Sequence, residues 1–128
     1  MADIVELAEA VSKEIGGSEV MFAPELDLKG LREMRVIVVP SALALRHVAR
    51  GAQEDSLKVQ VGVLKKCTED EVVDLVNTVV GIGRGFLGKS LAGARCTGVD
   101  YAPLYSPEHL RERRQFTGIV ELTFKSVR

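Results

Sequence analysis

Residues 68–90, TEDEVVDLVNTVVGIGRGFLGKS, constrain the fold of this chain most, because two incompatible structures compete for them. The second half, GRGFLGKS, matches the G-x-x-x-x-G-K-[ST] pattern of a phosphate-binding loop, with Gly83, Gly88, Lys89 and Ser90 at the required positions. Its glycines also match the G-x-G-x-x-G pattern of dinucleotide-binding proteins. Both patterns require a buried strand before the loop and a helix after it.

The first half of the stretch has the signals of an amphipathic helix instead. Thr68 and Glu71 have the spacing of a capping box, and the acidic run 69–71 suits the first turn of a helix. Five valines lower the helix propensity, so a strand over 76–82 is the alternative. Because apolar residues recur at helical spacing without strict alternation, we predict a helix over 69–82 that frays through the glycines.

A helix in this position argues against nucleotide binding. The glycines at 93 and 98 come too soon for the helix whose N-terminus would hold a phosphate. Only 38 residues follow Ser90, which leaves little room for the strands and magnesium ligand of such proteins. Nucleotide binding through Gly83, Gly88, Lys89 and Ser90 is therefore kept as the alternative function. The main interpretation is a glycine-rich helix end and loop over 81–93.

The N-terminal half predicts a helix and two strands. Residues 3–15 are amphipathic and end at a glycine pair, which predicts a helix. Residues 19–28 alternate as in a half-buried strand, and Pro24 places that strand at an edge of a sheet. Residues 35–39, RVIVV, predict a central strand that Pro40 closes.

The segment 41–56 leaves two alternatives open, a short helix or a continuation of the preceding strand, followed by a polar loop from Arg50 onward. The later part alternates more clearly and predicts strands over 57–65, 94–101 and 115–125. A short helical turn through Arg111 is expected after an N-cap at Ser106. The expected inward residues are Leu57, Val59, Val61 and Val63 in one strand and Phe116, Val120, Leu122 and Phe124 in another. This order predicts an α+β fold in one domain, 1–128.

Composition excludes several classes of function. A formal net charge of −1 argues against a strongly basic nucleic-acid binder, and no apolar run approaches the roughly 18 residues of a membrane helix. The amphipathic start predicts no signal peptide, and Cys67 and Cys96 are expected to be reduced thiols. The cysteines and the two histidines match no zinc spacing, and no serine nucleophile pattern occurs. We therefore predict no metal, no cofactor, no membrane contact and no enzyme activity.

Charge is distributed unevenly along the chain. Residues 1–30 hold seven acids against two bases, whereas residues 84–128 hold eight bases against four acids. Arg111, Arg113 and Arg114 form the densest basic cluster, for which a solvated turn and a contact patch are both open interpretations. In an oligomer, such asymmetry would allow complementary contacts between subunits.

Several segments together resemble the tail terminator (tail completion) proteins of long-tailed bacteriophages and prophages. An N-terminal helix is followed by RVIVVP at 35–40, and LKVQVGV at 57–63 leads directly into the long helix. The chain closes with YSPEHL at 105–110 and FTGIVELTF at 116–124. The V-x-V-G-V strand, the helix after it and the F-x-G-x-x-x-L-x-F strand carry most of the resemblance.

The resemblance implies a mixed, mainly antiparallel sheet packed by the N-terminal helix and one long central helix. It also implies a homo-hexameric ring that caps the tail tube and meets the head–tail connector, with no enzyme activity, cofactor or direct nucleic-acid contact. Such a protein would be made in the bacterial host cytoplasm and reside in the virion tail. The family has no catalytic residues to assign, so only contact positions are expected. The candidates are Arg46, Arg50, Arg84, Arg111, Arg113 and Arg114.

Overall fold

The computed structural model describes residues 3–21, 34–49 and 51–127, and these form an α+β fold. One curled sheet holds six strands in the order β1-β2-β3-β6-β5-β4. Only the β1–β2 pair is parallel among the described strands, so the sheet is mixed and mainly antiparallel, as expected. The strands are β1 Ser18–Val20, β2 Arg35–Ala49, β3 Ala52–Lys66, β4 Ser90–Leu91, β5 Ala94–Tyr101 and β6 Gln115–Val127.

Three α-helices accompany the sheet in the described part of the chain: α1 Ile4–Ile15, α2 Val72–Phe86 and α3 Pro107–Arg113. The first confirms the helix predicted at 3–15. Its N-cap is Asp3, whose carboxylate accepts a hydrogen bond from the Val5 amide at 2.8 Å. A carboxylate there satisfies an N–H group that has no partner within the helix. Gly16, at φ 72°, ends the helix.

The helix predicted at 69–82 is confirmed in type and differs at both ends. A 3₁₀ turn, Glu69–Glu71, precedes α2, and Thr68 makes no side-chain capping hydrogen bond, so the predicted capping box is wrong. The helix continues to Phe86 instead of fraying at the glycines. The loop predicted at 81–93 is therefore helical up to residue 86. Packing of the buried Gly83 and Phe86 against the sheet supplies the stability that glycine propensity lacks.

Strands β2 and β3 pair as a hairpin, and both are longer than the strands predicted at 35–39 and 57–65. Pro40 does not close β2; the strand passes through it and a register shift to Ala49. Proline is tolerated there because its missing N–H falls where β2 has no outer partner among the described residues. The strand continuation is the correct alternative for 41–49. The polar loop predicted after Arg50 is wrong, since β3 begins at Ala52. Arg50 itself lies outside the described residues.

The edge strand predicted at 19–28 is observed only as β1, which pairs with β2 at one edge of the sheet. Residues 22–28 of that prediction lie outside the described part of the chain. The strands predicted at 57–65, 94–101 and 115–125 are confirmed within β3, β5 and β6. The turn predicted through Arg111 extends to Arg113, with Ser106 accepting from the His109 amide at 3.2 Å.

The main core lies between one face of the sheet and helices α1 and α2. We call this side of the sheet the core face. All eight predicted inward side chains of β3 and β6 are fully buried there, which confirms the predicted register. Helix α1 contributes Leu7 and Val11, and α2 contributes Leu75 and Val79. Alternate residues of the same strands point to the opposite side, which we call the open face.

Candidate functional site

The phosphate-loop residues do not have the geometry that their pattern suggests. Gly83 lies inside α2, and Gly88 lies in the turn that leads to the two-residue strand β4. The order is therefore helix, turn, strand, whereas a phosphate loop connects a strand to a helix. Ser90 belongs to β4 and has an exposed side chain instead of standing at a helix N-terminus.

The backbone N–H groups of this turn are already used. The Gly88 amide donates to the Cys96 carbonyl and the Lys89 amide donates to the Phe86 carbonyl, both at 2.9 Å. The Leu87 amide donates to the Gly83 carbonyl at 3.3 Å. A phosphate cradle consists of several free N–H groups that point to one place. The Gly88 amide instead holds the end of α2 against β5, and the other two amides donate to carbonyls of α2 itself.

The remaining groups of the pattern have structural partners. Lys89 forms an ion pair with Glu14 of α1, and its ammonium lies 5.9 Å from the centre of the Phe86 ring. A Cβ atom on Gly83 would lie 2.4 Å from the Tyr101 hydroxyl and 2.7 Å from Val99 Cγ1. The glycine is thus required for close packing of α2 on β5, and the lysine connects α1 to the end of α2.

The two cysteines, predicted to be reduced thiols, are free, and both are buried. Burial raises the pKa of the Cys67 thiol, and the nearby negative charge of Glu71 raises that pKa further. Burial likewise raises the pKa of the Cys96 thiol. Both thiols therefore stay protonated at neutral pH, and a protonated thiol is a weak nucleophile and a poor metal ligand. No group of three or more potential metal ligands occurs within residues 3–21, 34–49 and 51–127.

The structure places the candidate arginines in separate regions. Arg111 and Arg114 line an open cleft of about 550 Å³ between α3 and the start of the 3₁₀ turn, which Glu69 also lines. Arg113, on the same helix, lines a different groove on the open face. The three arginines therefore belong to two different surfaces, and all three side chains are exposed.

The other two described candidates lie elsewhere. Arg84 is exposed on the last turn of α2, and Arg46 is exposed on β2 opposite Glu54 of β3. None of the five described candidate arginines forms an ion pair with another described residue.

A groove of about 430 Å³ opens on the open face, beside α3. We call it the open-face groove. Its apolar floor contains Ile37 and Leu64, which are 6% and 4% exposed, and it also includes Ile119. Gln60, His109, Arg113, Gln115 and Thr117 supply polar groups around this floor. An apolar floor with a few oriented polar groups is the usual composition of a binding surface.

The far part of β2 forms a second unusual surface. Strand β1 pairs only with residues 36–38 of β2. Residues 41–47 are all exposed, and they include Leu43 at 52% and Leu45 at 59% exposure. No described strand pairs with this outer edge. We call residues 41–47 the β2 edge.

Sequence reasoning missed both surfaces, although signals for them exist. Leu64 and Ile119 are apolar at positions where the alternation of their strands calls for polar side chains. Together with Ile37 they mark a second apolar surface on adjacent strands. Leu43 and Leu45 alternate with alanines, which is typical of a strand. The loop predicted from Arg50 onward hid this pattern.

Comparison with the models of known protein families and with curated proteins gives no match for this chain. Among the described residues, no helix has both the length and the apolar character to cross a membrane.

Proposed function

We propose that this chain is a structural tail-assembly protein of a phage or prophage, a tail terminator. In this proposal, six copies form a ring that caps the tail tube, ends its growth and offers a surface for head joining. The ring is made in the host cytoplasm and stays in the virion tail. Its partners are further copies of itself, the tail tube protein and the head–tail connector, and it needs no cofactor and performs no catalysis.

The observation that carries the proposal is the β2 edge. No described strand pairs with its outer side, and it carries two exposed leucines, Leu43 and Leu45. Soluble monomers usually protect such an edge with lysine, proline or a covering element, because it would otherwise pair with another chain. A subunit that is always part of an assembly does not need this protection, because a neighbouring chain can cover the edge.

Two further features support the same function. The observed order of an N-terminal helix, strands that include 35–40 and 57–63, a central helix and a closing strand agrees with the segments that carry the resemblance. The arginines at 111, 113 and 114 are exposed and form no ion pair with a described residue, which suits contacts with acidic surfaces of neighbours. A rim contact of this kind weakens with added salt, because screening acts within about 8–10 Å at moderate ionic strength.

The alternative function, nucleotide binding through residues 83–90, has no observation in its favour. The helix before the turn, the strand after it and the engaged amides are all unsuited to holding phosphate. We therefore retain the assembly function alone.

The test is a tail-assembly reaction with and without this protein. Without it, we expect tubes that grow past their normal length or tails that fail to join heads. Adding the purified protein back should restore both length and joining. Tails of normal length that join heads in its absence would rule out the terminator function.

Native mass measurement tests the ring separately. We expect a hexamer, or a monomer that forms hexamers at high concentration or on tail tubes. Leu43→Asp and Leu45→Asp should impair assembly while leaving the isolated subunit folded, since both side chains are already largely exposed. Unchanged assembly in both variants would show that the β2 edge is not a contact.

A further inference from the structure

Gln115 makes the open-face groove more than an apolar depression. The residue is 5% exposed, and its Nε2 donates to Thr117 Oγ1 at 3.0 Å. The other end of its amide, Oε1, is buried without a hydrogen-bond partner among the described residues. A buried acceptor without a donor costs about 1–3 kcal/mol. A donor from outside the subunit would remove that cost if the Gln115 side chain turned to present Oε1 to the groove, which the residue lines.

The rim of the groove carries an unpaired positive charge. Arg113 lines the groove from α3, is exposed, and forms no ion pair within the described residues. The groove therefore suits an occupant with three features: an apolar group for the floor, a carboxylate for Arg113 and a hydrogen-bond donor for Gln115.

The exposed side of α2 carries this same combination. Val73 is 69% exposed, and Asp74 and Asn77 are exposed beside it. Positions 73, 74 and 77 lie on one side of a helix because residues three and four apart are neighbours. Asp74 has no ion-pair partner in the described part of the chain. We call these three residues the Val73 patch.

The patch and the groove lie on opposite sides of the subunit. Helix α2 packs on the core face through Leu75 and Val79, so its exposed side points away from the sheet. The groove opens on the other face. A subunit cannot fill its own groove with its own patch. Two copies can make this contact only head to tail, which is the heterologous geometry that generates rings or filaments.

We propose that the open-face groove of one copy binds the Val73 patch of the next copy. Val73 covers the apolar floor and Asp74 pairs with Arg113. The Asn77 amide donates to Gln115 Oε1 after the Gln115 side chain turns toward the groove. The choice of a second copy as the occupant rests on the ring assembly proposed above. The specific contact is independent of what the ring does in the tail.

A charge-swap experiment tests this contact. Arg113→Glu and Asp74→Arg each place like charges in every contact, so each variant alone should need about tenfold or more higher concentration to form hexamers. In an equimolar mixture, alternating copies restore an opposite-charge pair at every contact, and six is an even number. Native mass spectrometry should therefore show hexamers with three copies of each variant.

Two controls make the test specific. Arg95→Glu reverses an exposed arginine on β5, away from the patch and the groove, and should assemble like the unmodified protein. Val73→Asp should weaken assembly, and neither charge variant should rescue it. Thermal melting of each variant checks that the subunits remain folded, as exposed positions predict.

The outcomes separate this contact from the proposed function. Hexamers of the unmodified protein together with variants that assemble normally, or a mixture that shows no rescue, would overturn the groove contact and leave the ring intact. If the unmodified protein is a monomer in solution, the same preparations are compared for control of tube length. Normal control by either single variant would overturn the contact, whereas no effect of the unmodified protein would overturn the terminator function itself.

Discussion

The two faces of the sheet use the same strands and differ in what covers them. On the core face, Val59 and Val61 of β3 and Val120 and Leu122 of β6 are fully buried beneath the helices. On the open face, the alternate residues change character along the strands. At one end, Lys58 forms an ion pair with Glu121 at 3.5 Å, while the other end holds the apolar floor of the groove.

This difference separates the face that α1 and α2 cover from the face that they leave uncovered. An antiparallel sheet can keep one face in water when that face is polar. The Lys58 end meets this condition, and the end with Ile37, Leu64 and Ile119 does not. Ile37 and Leu64 are nonetheless buried, because Met21 and Val39 pack against them, so this end of the open face carries a second, smaller apolar cluster.

Among the substitutions that test this difference between the two faces, Phe124→Ala is expected to have the largest effect on the unfolding free energy. Phe124 is fully buried on the core face, so truncation should cost about 3–5 kcal/mol of unfolding free energy. Ile119→Ala on the open face should cost much less, because that side chain is only half-buried beside an open groove. Urea unfolding measures both. A loss below about 1 kcal/mol for Phe124→Ala would contradict the assigned register.

The packing of α2 on the core face predicts a smaller effect for Gly83→Ala. The new methyl group would displace Tyr101, whose hydroxyl donates to the Val80 carbonyl at 2.9 Å. Overpacking of this kind costs about 1–3 kcal/mol, which exceeds the gain of about 1 kcal/mol from replacing a helical glycine. Gly81→Ala is the matched control, since its Cβ would have open space, and it should stabilise the protein. Equal melting temperatures for the two variants would contradict this packing.

Lys89→Ala is expected to have a smaller effect still. The side chains of Lys89 and Glu14 are both partly exposed. An ion pair between such side chains contributes less than about 1 kcal/mol to the stability of the fold. Assembly should persist, and neither the variant nor the parent protein should bind ATP or GTP at near-millimolar concentration. Calorimetry tests this directly. Micromolar nucleotide binding that disappears in the variant would instead establish the phosphate-loop hypothesis.

The smallest effect on the isolated subunit is expected for Gln115→Leu on the open face. The substitution loses one hydrogen bond to Thr117, worth about 0.5–1.5 kcal/mol, and removes the unsatisfied Oε1. These changes nearly cancel, so chemical unfolding should give a stability close to that of the parent. A loss above about 2 kcal/mol would mean that Gln115 stabilises the subunit itself and is not reserved for a partner.

Alternation predicted the strands of the core face because a half-buried strand repeats every two residues. Its failures have a physical cause in the β2–β3 hairpin. The register shift between Pro40 and Ala42 exchanges the two faces, so Val38 pairs with Val61 on the core side before the shift and Leu43 pairs with Leu57 on that side after it. A bulge therefore breaks the period on which the prediction depended. Residues 52–56 are kept extended by pairing with 44–49 of β2 and, from Glu54 onward, with β6, which is distant in sequence.

The candidate surfaces were less predictable than the fold. Clustering in sequence suggested that Arg111, Arg113 and Arg114 would act together, whereas α3 directs them into a cleft and a groove. Periodicity also does not show whether a helix or solvent covers a given face of a strand. The sequence places Gln115 in a strand and predicts no further role for it. Whether its amide oxygen is satisfied depends on neighbours that only folding brings together.

The sequence by itself determined that α1 and α2 are helices and that β3, β5 and β6 are strands, and it determined which side chains of β3 and β6 face the core. These features follow from the spacing of apolar residues along the chain and from the tendency of those residues to be buried. Only the tertiary structure decided the meaning of residues 83–90. There the glycine at 83 allows α2 to approach Tyr101, and Lys89 pairs with Glu14 from a distant helix. The same short pattern fits a phosphate cradle or a helix end, and the difference depends on where its amide groups find their partners.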